Sequence, residues 1–362
     1  ERIQLQQTDV VLEDLRTVRI LGRGTFGVVK LVEHRTRGTQ YALKCISRWE
    51  ATRNQQQDNL RLEREILLEN DHPFIVKVVR TFKDARYVYF LTELVAGGEL
   101  YSAIRVIGIL NREQAQFYVG SLILALESLH ERCIAYRDLK PENVLLDSQG
   151  YTKLIDFGCA AKLKDASHTI VGTPHYIAPE VILGNGYRFS CDVWSLGVCL
   201  YEFMCGPLPF ANSKDNPIQV FREILSAKLR FPETCTDSSS LQLMRRLLRR
   251  QLETRIGCGK SSWKSVRRHG FFRGFSFDRL LSRDLEPPLV PQEPSEAEEE
   301  GEAEKESEAS DRSRSDSESA LSSVASVVGP FDVARQRYLP GAHAVPERTP
   351  LPIEEDGWDK DF

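Results

Sequence analysis

One short run limits what this chain can fold into more than any other: Tyr136-Arg137-Asp138-Leu139-Lys140-Pro141-Glu142-Asn143. After the apolar stretch Val144 to Ile155 it is followed by Asp156-Phe157-Gly158. An acid, a lysine and an amide stand within six residues, and a second acid sits on a turn beyond an apolar hairpin. Such a set is useful only in a fold that brings its two halves together. The residue types are those that moving a phosphoryl group requires. Asp138 is the candidate base for a hydroxyl proton, Lys140 the cation that steadies the transferred group, and Asn143 and Asp156 the oxygen ligands for Mg²⁺.

The text around the run changes character along the chain. Val18 to Leu21 leads into Gly22-Arg23-Gly24-Thr25-Phe26-Gly27, and Val28 to Val32 follows. Two β-rich runs joined by a Gly-rich turn predict a hairpin. Further strands are expected at Tyr41–Ile46, Val78–Phe82 and Tyr87–Leu94. A single amphipathic helix is expected over Asn59–Asn70, ended by His72-Pro73. Gly97-Gly98 reads as a break, after which the pattern is helical. Asn111 and Gln114 stand at capping spacing, and apolar residues at 115, 118, 119, 122, 123, 126 and 129 form one stripe. Asp192–Cys205 is nearly all apolar and so is expected to be a buried helix, with an amphipathic one over Leu241–Leu252. Beyond Phe275 an extended tail is expected.

The glycine loop discriminates between two nucleotide-binding schemes. A dinucleotide fingerprint opens a helix after one strand. Here the loop joins two strands and leads to a third that carries Lys44, which favours a loop lying over ATP phosphates. Gly22, Gly24 and Gly27 are its glycines, allowing close backbone approach to the phosphates. Lys44 would reach those phosphates and needs an acid to position it. Glu63 is the choice over Glu65, which points to another face of the helix.

Together these motifs resemble the protein-kinase catalytic machinery, with Tyr136 where His is usual. Over about Leu15–Phe277 the chain resembles a serine/threonine kinase of the cyclic-nucleotide-dependent group. The ending Gly357-Trp358-Asp359-Lys360-Asp361-Phe362 is similar to that of cGMP-dependent protein kinases. The phrases Asp156-Phe-Gly-Cys159, Gly172-Thr-Pro-His-Tyr176 and Leu129-His-Glu-Arg132 resemble their apicomplexan branch. The resemblance implies an α+β, two-lobed kinase fold. Its small β-rich lobe, with one key helix, spans 15–95, and its mostly helical large lobe spans 96–275. An N-terminal linker would cover 1–14, and a C-terminal tail 276–362 with an acidic disordered insert at 292–323.

The same resemblance carries roles onto individual residues. Val29, Ala42 and Leu145 would sandwich adenine. Thr92 would be the gatekeeper, small enough to leave an apolar back pocket open, with Glu93 and Val95 as the hinge. Glu99, Glu142, Glu202 and Thr173 would face the substrate, the acids reading basic residues upstream of the target Ser or Thr. Thr169 would be the activation-segment phosphorylation site and Arg137 the cation that receives the phosphate. Ala178-Pro179-Glu180 is the closing motif, with Glu180 buried against Arg255. Asp192 would tie down the catalytic loop. Trp358 and Phe362 would dock on the small lobe, and Phe331 is matched to an ATP-proximal tail residue. Three positions depart from the pattern: Ala161 replaces a usual Lys, beside Lys162; Asn59 replaces a common phosphate-binding His; His175 replaces a common Glu.

The implied reaction uses ATP and Mg²⁺ on protein substrates with basic residues before Ser or Thr. Control is expected from cGMP acting through domains outside this sequence, which lacks an initiator Met. The alternatives are a cAMP-dependent catalytic subunit or a non-catalytic scaffold, and the latter is disfavoured by the presence of Lys44, Asp138 and Asp156. No nucleic-acid partner and no transmembrane segment are expected. A cytoplasmic location is expected, with membrane association only through missing N-terminal parts.

Charge supports this division. Residues 1–291 carry 41 Lys and Arg against 33 Asp and Glu, whereas 292–362 carry 7 against 19. The acidity belongs to the tail, and within it residues 292–323 have too little apolar content to offset the entropy of ordering. Within it, Ser315 follows Arg312 at a spacing that the substrate-facing acids should favour, so autophosphorylation there is an expectation. The eight cysteines are scattered with no CxxC pair, as expected of free thiols in a reducing compartment.

Overall fold

Strict alternation shapes the first lobe. In β1 (Leu15–Gly24), β2 (Gly27–His34) and β3 (Gln40–Ser47), successive side chains leave the sheet on opposite faces. Leu43 and Cys45 join Val10, Leu15, Val32 and Leu91 in an outer core. Ala42 and Lys44 therefore face the other way, toward the second lobe. α1 (Arg48–Arg53) and α2 (Gln57–Leu68) follow, then β4 (Val78–Lys83) and β5 (Tyr87–Glu93), giving an antiparallel sheet in the order β1-β2-β3-β5-β4. Two helices thus stand where one was expected. The overlooked signal is Ser47, whose side chain accepts from the Glu50 N–H at the start of α1. The expected linker also ends early: Val10 is fully buried, and its carbonyl accepts from Arg80 Nη1 at 3.0 Å.

The second lobe is helical. α3 (Leu100–Ile107) precedes α4 (Arg112–Glu131), which starts with a complete capping box between Asn111 and Gln114. α4 is buried on nearly all sides from Ala115 to Leu126, not along one stripe, because other segments pack all around it. The short strands β6 (Ile134–Ala135), β7 (Val144–Leu146), β8 (Thr152–Leu154) and β9 (Ala161–Lys162) pair as β6-β9 and β7-β8, framing the catalytic run. α5 (Pro179–Leu183) and the buried α6 (Ser190–Cys205) come next, then α7 (Pro217–Ser226), α8 (Ser238–Leu247), α9 (Ser262–Arg267) and α10 (Phe277–Leu281). α8 begins earlier than its apolar period suggested because Asp237 caps it by accepting from the Ser240 N–H. The chain beyond 275 does not run straight into an extended tail: Ser276 caps α10, and Leu280 is fully buried.

This computed structural model describes residues 10–24, 27–213, 216–259, 262–291 and 357–362, which belong to one unit formed by 1–291 and 354–362. The acidic insert 292–323, Ser315 and Phe331 lie outside the described residues. The end of the chain is part of the small lobe's packing. Trp358 and Asp359 are buried, Arg61 Nε donates to the Trp358 carbonyl at 2.6 Å, and Asp359 pairs with Arg48 and Lys83. Among the described residues no helix is long and apolar enough to cross a membrane.

Candidate active site

The cleft is lined from above by the sheet face that carries Ala42 and Lys44. Register sets Val29, Lys44 and Phe90 side by side across β2, β3 and β5, and Leu31, Ala42 and Thr92 likewise. Val29, Ala42, Thr92 and Leu145 are half-buried.

The hinge closes on β7: the Gly97 N–H donates to the Leu146 carbonyl and the Leu146 N–H to that of Gly98, both at 2.8 Å. A Cβ on Gly97 would lie 2.6 Å from the backbone oxygens of Leu146 and Asp147, so only glycine permits this approach. Glu93 Oε1 accepts from the Lys77 N–H at 2.9 Å and from Lys153 Nζ at 2.7 Å, pinning the strand end. Val95 packs against the main core.

Packing demands glycine at one of the loop positions and not at another. Gly22 has open space where a side chain would be. At Gly27 a Cβ would stand 1.9 Å from the Cys45 carbonyl oxygen. That glycine serves the packing of β2 on β3. Gly24 pairs directly with Gly27 across the hairpin.

Lys44 joins the two lobes. Its Nζ lies 2.7 Å from Glu63 Oε1 and 3.3 Å from Asp156 Oδ1. Burial works to lower the Lys44 pKa, but Asp156 and Glu63 together outweigh it and raise it above the usual value. Lys44 in turn holds Asp156 below the usual carboxylate range, whereas burial raises Glu63. Glu65 is instead paired with Lys162 on the surface.

Asp156 adopts a left-handed backbone, φ +54°, and its Oδ1 accepts from the Gly158 N–H at 3.3 Å. Phe157 is buried edge-on against Tyr136, whose hydroxyl donates to the Ile155 carbonyl. Tyr136 therefore braces the turn that carries Asp156.

The catalytic run is held from below. Asp192, fully buried, accepts from the Tyr136 N–H at 2.9 Å and the Arg137 N–H at 2.7 Å. These bonds support a left-handed Arg137, φ +70°. His130 Nε2 lies 2.8 Å from the same carboxylate, and its other ring nitrogen accepts from Trp263 Nε1.

Asp138 Oδ1 accepts a hydroxyl hydrogen from Thr173 at 2.7 Å, while its Oδ2 accepts from Asn143 Nδ2 at 3.0 Å. Lys140 Nζ sits 3.3 Å from Asp138 and donates to Thr173 Oγ1 at 2.8 Å. Thus Asp138, Lys140, Asn143 and Thr173 form one cluster, and Lys44, Glu63 and Asp156 another above it.

The donor set fits Mg²⁺. Asn143 commits its amide nitrogen to Asp138, leaving its side-chain oxygen as a ligand, and the side chain of Asp156 is half-exposed. Among the described residues no group of three or more His, Cys, Asp or Glu converges. Two protein oxygens completed by phosphate and water are the arrangement this small, reluctantly dehydrated ion takes.

Glu142, within the catalytic run, and Glu202, on α6, are close enough to interact electrostatically. Tyr176 donates its hydroxyl to Glu202 Oε2 at 2.7 Å. Burial pushes the Glu202 carboxyl up to about 7, opposed by Tyr176 and reinforced by Glu142. Glu142 Oε2 is buried with no hydrogen-bond partner among the described residues. Glu99 is exposed just ahead of α3. His175 faces elsewhere, its Nε2 3.3 Å from the Ala211 carbonyl.

Glu180 and Arg255 form a bidentate pair at 2.7 and 2.8 Å, both almost fully buried. Thr169 is exposed. The braces from Tyr136, Lys153, Arg48, Arg61 and Lys83 escaped the sequence reading. Only the spacing of aromatic and charged residues at the chain's end hinted at the last three.

Residues 15–272 match the family model described as protein kinase domain. The chain is 60% identical over 292 residues to a cGMP-dependent protein kinase of Eimeria tenella, covering 81% of this chain and 29% of that protein. It is 58% identical over 298 residues to the Toxoplasma gondii protein of the same description, covering 82% and 30%. It is 40% identical over 292 residues to the cAMP-dependent protein kinase catalytic subunit PRKX of Mus musculus, covering 80% of this chain and 81% of that one. The chain thus spans less than a third of the length of these cGMP-dependent relatives.

Proposed function

The chain belongs to the protein kinase family, and from that premise we propose that it transfers the γ-phosphoryl group of ATP to Ser or Thr of proteins with basic residues upstream, under cGMP control exerted by segments outside this sequence. One observation carries the reading: Lys44 contacts both Glu63 and Asp156. The kinase reaction needs both the strand lysine's ion pair and the second acid in place.

In this reading Lys44 holds the α- and β-phosphates, positioned by Glu63. The backbone of Gly22, Gly24 and Gly27 covers them, and Val29, Ala42, Thr92, Glu93, Val95 and Leu145 receive adenine. Asn143 and Asp156 hold Mg²⁺, which neutralises phosphate charge when bound. Asp138 accepts the substrate hydroxyl's proton in the place where it now accepts that of Thr173. Lys140 sits beside the transferred group. Such catalysis is positioning plus charge stabilisation. Glu99, Glu142 and Glu202 present carboxylates to a basic substrate, and the unpartnered oxygen of Glu142 supports a cation at that point.

The identity of 60% to the cGMP-dependent protein kinase of Eimeria tenella, against 40% to the cAMP-dependent catalytic subunit PRKX of Mus musculus, supports the former control. The test is transfer of labelled phosphate from ATP to a peptide with Arg-Arg upstream of Ser, with an acidic-flanked peptide as control. Preferential labelling of the basic peptide is expected. Equal labelling, or none with ATP still bound, would remove the substrate or the catalytic part of the proposal respectively.

A further inference from the structure

The segment between the two motifs, residues 163–172, is strapped to the loop before α6 at several points. Ser167 and Tyr187 exchange two backbone hydrogen bonds, at 2.8 and 2.9 Å. His168 Nδ1 lies 3.0 Å from the Gly184 carbonyl. Arg188 Nη2 donates to the Leu163 carbonyl at 3.0 Å. Tyr187, 3% exposed, donates its hydroxyl to the Thr169 carbonyl at 2.6 Å. That hydroxyl also accepts from Arg137 Nη1 at 3.3 Å. One phenol thus links the catalytic run to the backbone of Thr169.

The cation expected to receive a phosphate is already engaged. Arg137 donates from Nε to the Cys159 carbonyl at 2.6 Å and from Nη2 to that of Ala160 at 3.4 Å. Its Nη1 serves Ser167 Oγ at 3.5 Å and Tyr187. A guanidinium has five N–H donors, so at most one is left for another acceptor. The neighbouring positions add little to a phosphate site. Position 161 is Ala, Lys162 is paired with Glu65, and Asn59 donates to Gln56.

We infer that Tyr187 is a positioning residue: by bridging Arg137 to the Thr169 carbonyl it holds the segment in its working place while Thr169 is unmodified. The inference deepens the kinase reading and rests on it for its activity readout. Phosphorylation of Thr169 then adds little to turnover, because hydrogen bonds from the Arg137 guanidinium and the Tyr187 hydroxyl already supply the anchoring that a phosphate would.

The test uses the whole chain and compares Tyr187→Phe, Thr169→Ala and the double variant. Peptide kinetics and amide hydrogen exchange of residues 163–172 are the readouts. Tyr187→Phe is expected to lower kcat about tenfold, the worth of one buried hydrogen bond, with KM for ATP within about twofold. Exchange in the segment should rise. Thr169→Ala keeps its carbonyl and should leave both readouts unchanged, and the double variant should match Tyr187→Phe. A tenfold loss in Thr169→Ala, or in wild type treated with phosphatase, overturns the inference. So does unchanged protection in Tyr187→Phe. If wild type transfers no phosphate, the kinase reading fails, whereas the exchange measurement still decides the role of Tyr187.

Discussion

The ring of Phe362 stands edge-on to that of Phe90, with centroids 5.3 Å apart and planes at 81°. Phe90 is also the ring over which Lys44 Nζ sits, at 5.9 Å. The last residue of the chain therefore packs against the floor beneath the lysine of the cleft. Phe362→Ala should cost about 1–2 kcal/mol, less than full aromatic burial because the ring is only half-buried. We expect a lower Tm and a several-fold loss of kcat; a stability loss without any kinetic change would separate the tail from the site.

Glu63 and Glu65 share a helix but not a task. Glu63→Gln should lower kcat/KM for ATP about 100-fold, since Lys44 would then be drawn toward Asp156 alone. Glu65→Gln removes only an exposed pair with Lys162 and should stay within about twofold. Steady-state kinetics on both variants decide it, and equal losses would mean that α2 matters as a whole.

Asp138→Asn keeps the shape of the cluster and removes the carboxylate proposed as the base. Turnover should fall about 10²–10⁴-fold, with ATP affinity by calorimetry nearly unchanged. Turnover close to wild type would falsify the role assigned to Asp138.

Glu202 should make both stability and the proposed recognition of basic peptides depend on pH. With its folded value near 7 against the usual 4.5, the folded chain keeps a proton that the unfolded chain releases. Its contribution is complete below pH 4.5 and is lost as pH rises toward 7. Glu202→Gln should flatten that part of the stability profile. In the wild type, KM for an arginine-containing peptide should fall as pH rises through 7, as the carboxylate ionises. A KM with the same pH dependence in Glu202→Gln would assign the effect to another group.

Arg255→Ala would strand the Glu180 carboxylate in the interior. Loss of one partner of a buried pair costs about 3–5 kcal/mol, so denaturant midpoints should drop sharply. A drop under about 1 kcal/mol would mean that water reaches Glu180.

Much of this protein was written in neighbouring residues. Strand alternation placed Ala42 and Lys44 on one face, the Asn111–Gln114 spacing marked the start of α4, and the catalytic run announced its chemistry by residue type alone. The small helix α1 was equally legible in Ser47 and Glu50, a local cap that competed with β-like text on either side.

Other features depended on what lay opposite. Lys44 and Asp156 are separated by 112 positions, and Arg61 and Trp358 by 297. Nothing in either local sequence names the partner. Gly27 reads as a phosphate-loop glycine, yet what demands it is the Cys45 carbonyl of the next strand. Arg137 reads as a cation awaiting an anion, yet carbonyls and the Tyr187 hydroxyl already claim it. Periodicity, capping and residue chemistry act over a few residues, so the sequence by itself determined the elements and the kind of reaction. Which face meets which, and which donors are left free, follow from packing between distant segments, so only the tertiary structure decided them.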